Sequence, residues 1–261
     1  MLRRFIRLIS FALFLPLTLP AYLVFLGRGR RKGVPPNVRW LQWLLRCSLR
    51  IVGGRLRVVG EPPRSGLIVC NHLSYIDIAA LGASCPCAFV SKVEVRDWLF
   101  IGWAAELAGT VFVRRAHRSE VTGQVEDIKH AIARGVPIVL FPEGTSTDGS
   151  QVLPFRSALL QAALETGCDV TPAALSYRAD PPGDTVNDIC WWGGVGFVPH
   201  LWRFLALRSF AVTVVFGASR PAQADRKAEA MRLREEVLRL RGEAPPSGAR
   251  FRLRARVDSG K

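Results

Sequence analysis

Leu67-Ile68-Val69-Cys70-Asn71-His72-Leu73-Ser74-Tyr75-Ile76-Asp77 runs from an unbroken apolar segment into a polar turn and towards a second apolar segment. The apolar run Leu67–Cys70, bounded by turn residues, reads as a buried strand. Ser74–Leu81 reads as the helix that follows. A histidine where a strand ends sits where open α/β sheets carry their chemistry. Asp77 can hold one imidazole nitrogen as N–H and leave the other to take a proton from an alcohol. At about 100° per residue, positions five apart do not share a helix face. The pair meets only if His72 lies in the turn and Asp77 in the first helical turn. A second reading stands beside this one: Ser74-x-x-Asp77 has the form of a capping box, with Ser74 as N-cap.

Outward from this stretch, strand and helix patterns alternate. Further strands are expected at Ala88–Ser91, Thr110–Val113, Pro137–Phe141, Val170–Leu175 and Ala211–Phe216. Helices are expected near Val95–Leu107, Ser119–Ala133, Phe155–Glu165, Pro199–Leu207 and Ala224–Arg241. The alternation predicts an α/β fold, with a central mixed, mostly parallel sheet flanked by helices over residues 55–243. Residues 244–261 are rich in Pro, Gly and Arg and read as a frayed tail.

The chain of 261 residues is long enough for one such domain plus an appendage. Its hydrophobic content of 49% fits a membrane-associated protein. The net charge of +15 attracts polyanions, whether nucleic acid, anionic headgroups or phosphorylated substrates, without choosing among them. Cys47, Cys70, Cys85, Cys87, Cys168 and Cys190 lack zinc-like pairing and disulfide density, and read as reduced core thiols on the cytosolic side. His117, His130 and His200 read as solvated or structural.

The N-terminal region, residues 1–54, reads as a membrane anchor of two helices. Leu8 to Leu26 carries no charge and is flanked by Arg3, Arg4 and Arg7 before it and Arg28, Arg30, Arg31 and Lys32 after it. A helix of that length covers about 28 Å, the thickness of the hydrocarbon core. A basic cluster follows the run where a signal peptide has a small-residue cleavage site, so a retained anchor is expected. Pro16 and Pro20 interrupt a simple span, and the charge on both flanks blurs orientation. A bent helix dipping into one leaflet fits as well as a full crossing. From Val38 to about Val52, a stripe of Arg39, Arg46 and Arg50 opposes Leu41, Leu44, Leu45, Ile51 and Val52, with Trp40 and Trp43 at the boundary. This is the pattern of an interfacial helix, and equally of a domain helix with solvated arginines.

Two further stretches carry chemistry. Gly109-Thr110-Val111-Phe112-Val113-Arg114-Arg115 puts paired arginines at a strand end, where one can clamp a phosphate. Phe141-Pro142-Glu143-Gly144-Thr145-Ser146 follows a strand with a tight turn that brings a carboxylate to the same sheet edge. Glu143 is there to bind a substrate hydroxyl or an arginine, or is a plain loop residue.

In this order the stretches resemble the glycerolipid acyltransferase family that includes the lysophosphatidic acid acyltransferases. Asn71, His72 and Asp77 match its Asn-His-x4-Asp motif; Gly109, Phe112 and Arg115 match Gly-x-x-Phe-x-x-Arg; Phe141 to Thr145 match Phe-Pro-Glu-Gly-Thr. Val170-Thr171-Pro172 fits a fourth, looser block, so the likeness covers residues 70–175. The resemblance implies a membrane-bound O-acyltransferase at the cytosolic side of the inner membrane. It would move a fatty acyl group from acyl-CoA or acyl carrier protein to the 2-hydroxyl of lysophosphatidic acid, without a cofactor. His72, oriented by Asp77, would act as general base, with no acyl-enzyme intermediate. Consistent with that, the chain has no Gly-x-Ser-x-Gly elbow.

Arg115 and Lys92 would neutralise the acceptor phosphate, with Asn71, Glu143, Gly144 and Thr145 completing the substrate site. The family's third motif commonly ends in Arg, and Ser146 stands here instead. Either Arg156 replaces the charge or the acceptor carries less of it. The Thr145–Gly149 and Pro154–Ser157 patterns also resemble members that acylate lyso-ornithine lipid, which makes that lipid or another lysophospholipid the alternative acceptor. A non-enzymatic basic protein would account for the charge but not for His72, Asp77 and the Phe141–Thr145 turn together, and no nucleic-acid motif is present.

Overall fold

The computed structural model describes residues 1–31, 33–98, 101–113, 121–183, 185–223 and 225–243, the side chains of Lys92, Ile101, Val113, Val121 and Glu243 excepted. Its centre is an eight-stranded sheet: β1 (Gly54–Val59), β2 (Leu67–Cys70), β3 (Ala88–Lys92), β4 (Val111–Val113), β5 (Ile138–Leu140), β6 (Asp169–Asp180), β7 (Ser209–Phe216) and β8 (Arg220–Pro221). The order is β1-β7-β6-β2-β5-β3-β4, with β8 paired to β6. Pairing is antiparallel only at β6–β7 and β6–β8, as expected for a mixed, mostly parallel sheet.

Every residue of β2 is buried, because both faces of the sheet are covered. Ile68 and Cys70 face one core with Trp40, Leu41, Leu44, Leu81 and Phe204. Leu67 and Val69 face the other, with Ile128, Leu233, Val237 and Leu240. The first layer is built by α2 (Pro36–Ile51), α3 (Ile76–Ser84) and α8 (Phe197–Phe204). The second is built by α5 (Val121–Ile132), α6 (Gln161–Thr166) and α9 (Arg226–Glu243). The short helices α4 (Ile101–Leu107) and α7 (Thr185–Asp188) lie in connections.

Differences from the expected elements are local. The helix expected over Val95–Leu107 is a 3-10 turn, Val93–Asp97, followed by α4. The one over Phe155–Glu165 opens as a 3-10 turn, Ser157–Leu160, before α6. The edge strand β1 carries outward Arg55 and Arg57 and did not read as a strand, while β8 is only Arg220–Pro221. The expected tail, 244–261, lies outside the described residues.

The two helices expected over residues 1–54 both form, and they differ in character. The first element, α1 (Leu2–Gly27), is long and apolar enough to cross a membrane. The second is corrected: α2 buries Val38, Trp40, Leu41, Leu44 and Leu49 in the domain, so its apolar face is covered by protein. Amphipathic periodicity states which face is apolar and not what covers it.

α1 itself lies along the domain. Its inward positions, Arg4, Arg7, Phe11, Phe14, Thr18, Ala21 and Phe25, alternate three and four apart, the narrow seam of helix-on-helix packing. Arg7 donates to the carbonyls of Leu205 at 3.0 Å and Arg208 at 3.1 Å. Farther along, Trp40 Nε1 donates to the Thr18 carbonyl at 2.9 Å, and Phe14 and Tyr22 pack on Trp43 and Trp40.

Candidate active site

The parallel strands β2, β5, β3 and β4 end at one sheet edge, and the catalytic candidates follow those ends. β2 stops at Cys70, which pairs with Ala173; β6 continues to Asp180 and so runs on beside the Asn71–Asp77 turn. Asn71 ties the two together. Its Nδ2 donates to the Leu175 carbonyl at 3.2 Å and its Oδ1 accepts from the Leu175 N–H at 2.8 Å. The buried Asn71 amide thus replaces a strand's backbone pair and is committed to the fold.

His72 Nδ1 lies 2.7 Å from Asp77 Oδ2. The Asp77 carboxylate also accepts from the backbone N–H groups of Leu73 at 2.7 Å and Ser74 at 3.0 Å. Because a carboxylate accepts, Nδ1 carries the proton of the first contact and Nε2 keeps its lone pair. The His72 side chain is 22% exposed and that of Asp77 is 0% exposed, so the imidazole is reachable while the carboxylate it meets is sealed. Its ring stacks on Phe141 at 4.2 Å.

Asp77 has the geometry of both readings at once: it contacts the His72 imidazole and closes half a capping box on the Ser74 N–H. The other half is absent: α3 has no side-chain N-cap, and Ser74 Oγ is buried without a partner among the described residues.

A fourth group on Asp77 was not anticipated. Tyr177, on β6, donates its phenol to Asp77 Oδ1 at 2.7 Å. Burial, reinforced by the neighbouring Asp77 charge, holds the phenol well above its usual titration range, so it remains a donor. Tyr177 is 100 residues from Asp77 in the chain and no local motif marks it; the only available signal is its period-two alignment with Ala173 and Leu175 in a long strand.

Both oxygens of Glu143 accept from backbone N–H groups. Its Oε1 accepts from the His72 N–H at 2.7 Å and its Oε2 from the Leu153 N–H at 2.8 Å. It clamps the catalytic turn to the loop before Phe155. Burial pushes its carboxyl above the usual range, and these two N–H groups oppose the shift.

Gly144 adopts φ 75°, and a Cβ placed there would meet Arg156 Cζ at 2.9 Å. The missing side chain is what lets the Arg156 guanidinium lie over the turn. Arg156 and Thr145 are both exposed, next to the turn that carries Glu143. Ser146 Oγ donates to the Trp191 carbonyl, and the Trp191 N–H donates to the Leu73 carbonyl at 2.8 Å. The residue in the place of an arginine thus straps the Trp191 loop to the catalytic turn. Lys92 ends β3, paired with Val113; its side chain, and all of Arg115, lie outside the described residues.

His200 proves structural, as expected. Its Nε2 lies 2.9 Å from the Cys190 carbonyl, which can only accept, so Nε2 carries the proton. Nδ1 then accepts from Tyr75 Oη at 3.0 Å. Burial lowers the His200 pKa and raises that of Tyr75, which keeps both groups neutral in this pair.

Residues 55–176 match the family model described as Acyltransferase. A lyso-ornithine lipid O-acyltransferase of Rhodobacter capsulatus is 41% identical over 66% of this chain and 63% of its own length. One of Pseudomonas aeruginosa is 36% identical over 83% of this chain and 84% of its own length. A 1-acyl-sn-glycerol-3-phosphate acyltransferase of Neisseria gonorrhoeae is 31% identical over 61% of this chain and 62% of its own length. The crystal structure of the 1-acyl-sn-glycerophosphate acyltransferase PlsC from Thermotoga maritima superposes with a TM-score of 0.62 at 21% identity, covering 82% of this chain and 81% of that one. With the His72–Asp77 pair at the sheet edge and relatives of this extent, the chain belongs to the acyltransferase family.

Proposed function

We propose that the protein transfers a fatty acyl group from a thioester, acyl-CoA or acyl carrier protein, to the free hydroxyl of lyso-ornithine lipid at the cytosolic face of the inner membrane. The observation that carries the choice of acceptor is the commitment of Ser146 to the Trp191 carbonyl, in the place where an arginine would serve a phosphate. Ornithine bound through its α-amine offers one carboxylate, which a single guanidinium such as Arg156 can match bidentately. A phosphate monoester asks for more positive charge. The identity of the Rhodobacter and Pseudomonas relatives supports the same acceptor.

In this reading, His72 Nε2 takes the proton of the acceptor hydroxyl as its oxygen attacks the thioester carbonyl. The C–O bond forms, the tetrahedral intermediate collapses, the C–S bond breaks, and the leaving sulfur receives the proton from His72. Asp77 holds the imidazole in the tautomer that both half-steps need and stabilises the transient imidazolium. Acceptor and donor are held together, so the gain comes from positioning and proton transfer rather than from a covalent enzyme intermediate. α1 supplies the lipid contact. Because it is docked to the domain from Arg7 to Tyr22, it lies in one leaflet with its outer leucines in acyl chains.

The test is thiol release from palmitoyl-CoA by the full chain in detergent, with lyso-ornithine lipid or lysophosphatidic acid as acceptor. The expected result is a kcat/KM for lyso-ornithine lipid at least about tenfold above that for lysophosphatidic acid, equivalent to about 1.4 kcal/mol. His72→Ala should lose about 100-fold or more. Preference for lysophosphatidic acid would move the acceptor to the Neisseria type and leave the mechanism standing; an active His72→Ala enzyme would refute the mechanism.

A further inference from the structure

The outer apolar face of α1 does not stop with α1. Phe5 packs edge-on against Trp202 of α8 at 6.3 Å. Arg4 lies 4.8 Å over the same indole and donates to the Trp202 carbonyl at 2.9 Å. On the outer side of α8, Val198 is 71% and Trp202 39% exposed, and the loop before it also exposes Trp192 and Val195. Exposed Arg3, Arg203 and Arg208 border this region. Large apolar side chains gathered and exposed in this way mark an interaction surface. With indoles and a rim of arginines it has the chemistry of a surface seated on a bilayer with anionic headgroups.

The inner side of α8 meets the catalytic turn. His200 accepts from Tyr75, which lies between His72 and Asp77 in the chain, and Phe197 packs on Tyr75 at 5.1 Å and on Trp98 at 5.3 Å. α8 therefore has one side towards solvent and the other one contact from the turn that holds the base.

We propose that α8 and the Trp192–Val195 loop form a second lipid-contacting surface, continuous with α1, that seats the catalytic turn on the bilayer carrying the acceptor. The inference rests on the reading of the acceptor as a membrane lipid and adds the element that meets it. α1 holds the protein on the membrane; α8 sets the height and tilt of the turn over it.

The experiment uses the full chain with vesicles of phosphatidylcholine and phosphatidylglycerol. Val198→Glu/Trp202→Glu should lower turnover of vesicle-borne lysolipid by about tenfold, the fold-change equal to about 1.4 kcal/mol. Turnover of the same lysolipid in detergent micelles should stay at the wild-type rate. In parallel, dibrominated phosphatidylcholine should quench tryptophan emission of the wild type more than that of Trp202→Phe. Equal vesicle rates for wild type and double variant would overturn the proposal. So would equal quenching of wild type and Trp202→Phe, or equal losses in vesicles and micelles, the last marking damage to the turn. Quenching reads the surface without turnover. A wild type silent on every lysolipid would therefore sink the proposed function while this arm still decides the surface.

Discussion

Tyr177→Phe is the most informative single change, because it removes one oxygen and leaves the ring against Phe210. Asp77 is fully sealed and accepts from four donors: His72 Nδ1, the N–H groups of Leu73 and Ser74, and the Tyr177 phenol. The first three all reach Oδ2; among the described residues, Tyr177 alone reaches Oδ1. Without it, one oxygen of a buried carboxylate has no donor of the kind water would supply. Hydrogen bonds to charged groups contribute about 1.5–3 kcal/mol net, so the variant should lose about that much stability. For a chain of this size, that is a fall in Tm of about 3–12 °C. The carboxylate is also freed to rotate about the cluster on Oδ2, which loosens the imidazole it orients. The kcat should therefore fall about tenfold to 100-fold, with KM for both substrates changed little, since the interaction serves the proton transfer rather than binding. Thermal unfolding followed by circular dichroism, together with thiol-release kinetics, reads both effects. A variant with the Tm and the kcat of the wild type would show that Oδ1 needs no donor and refute the reasoning.

Glu143→Gln places an NH2 against the N–H of His72 or Leu153, a donor facing a donor; about 1–3 kcal/mol of stability and most of kcat should be lost, as unfolding and rate measurements would show. A pure KM effect would instead return Glu143 to the substrate. Gly144→Ala forces a left-handed alanine, costing about 1–2 kcal/mol, and pushes the Arg156 guanidinium away; KM for the acceptor should rise more than KM for the thioester. His200 gives a pH dependence. Its folded pKa is lowered by burial, so below the ordinary value of 6.5 the unfolded chain binds a proton that the folded one resists. Stability should fall as pH drops from about 6.5 towards the lowered folded value and then level off. His200→Gln should flatten that part of the Tm-against-pH curve, and an unchanged curve would assign the dependence elsewhere.

The catalytic turn was legible because its parts are close in the chain. Leu67–Cys70 announces a buried strand by composition, and His72 and Asp77 can meet only in a strand–turn–helix. What stayed hidden depends on partners far away in sequence. α2 and an interfacial helix share one periodicity, and only the burial of Trp40 and Leu44 by the domain separates them. The seam of α1 is masked because the outward positions are as apolar as Phe11, Phe14 and Phe25, while the inward Arg7 and Thr18 read as a flank and a break in the apolar run rather than as the docking side. Glu143 was correctly placed at the site edge. Its assignment to two backbone N–H groups required the positions of Leu153 and His72, which no spacing rule supplies.

β6 carries a consequence for how this enzyme can change over generations. Along its twelve residues it offers Ala173 to β2, Leu175 to the Asn71 amide and Tyr177 to Asp77, each two positions after the last. A deletion of one residue between Ala173 and Tyr177 would present Arg178 to a buried carboxylate and turn Tyr177 to the wrong face. Length changes can accumulate in the loops around the site. The interval from Ala173 to Tyr177 is fixed by three partners at once, so new specificities must arise by substitution around this strand rather than by insertion within it.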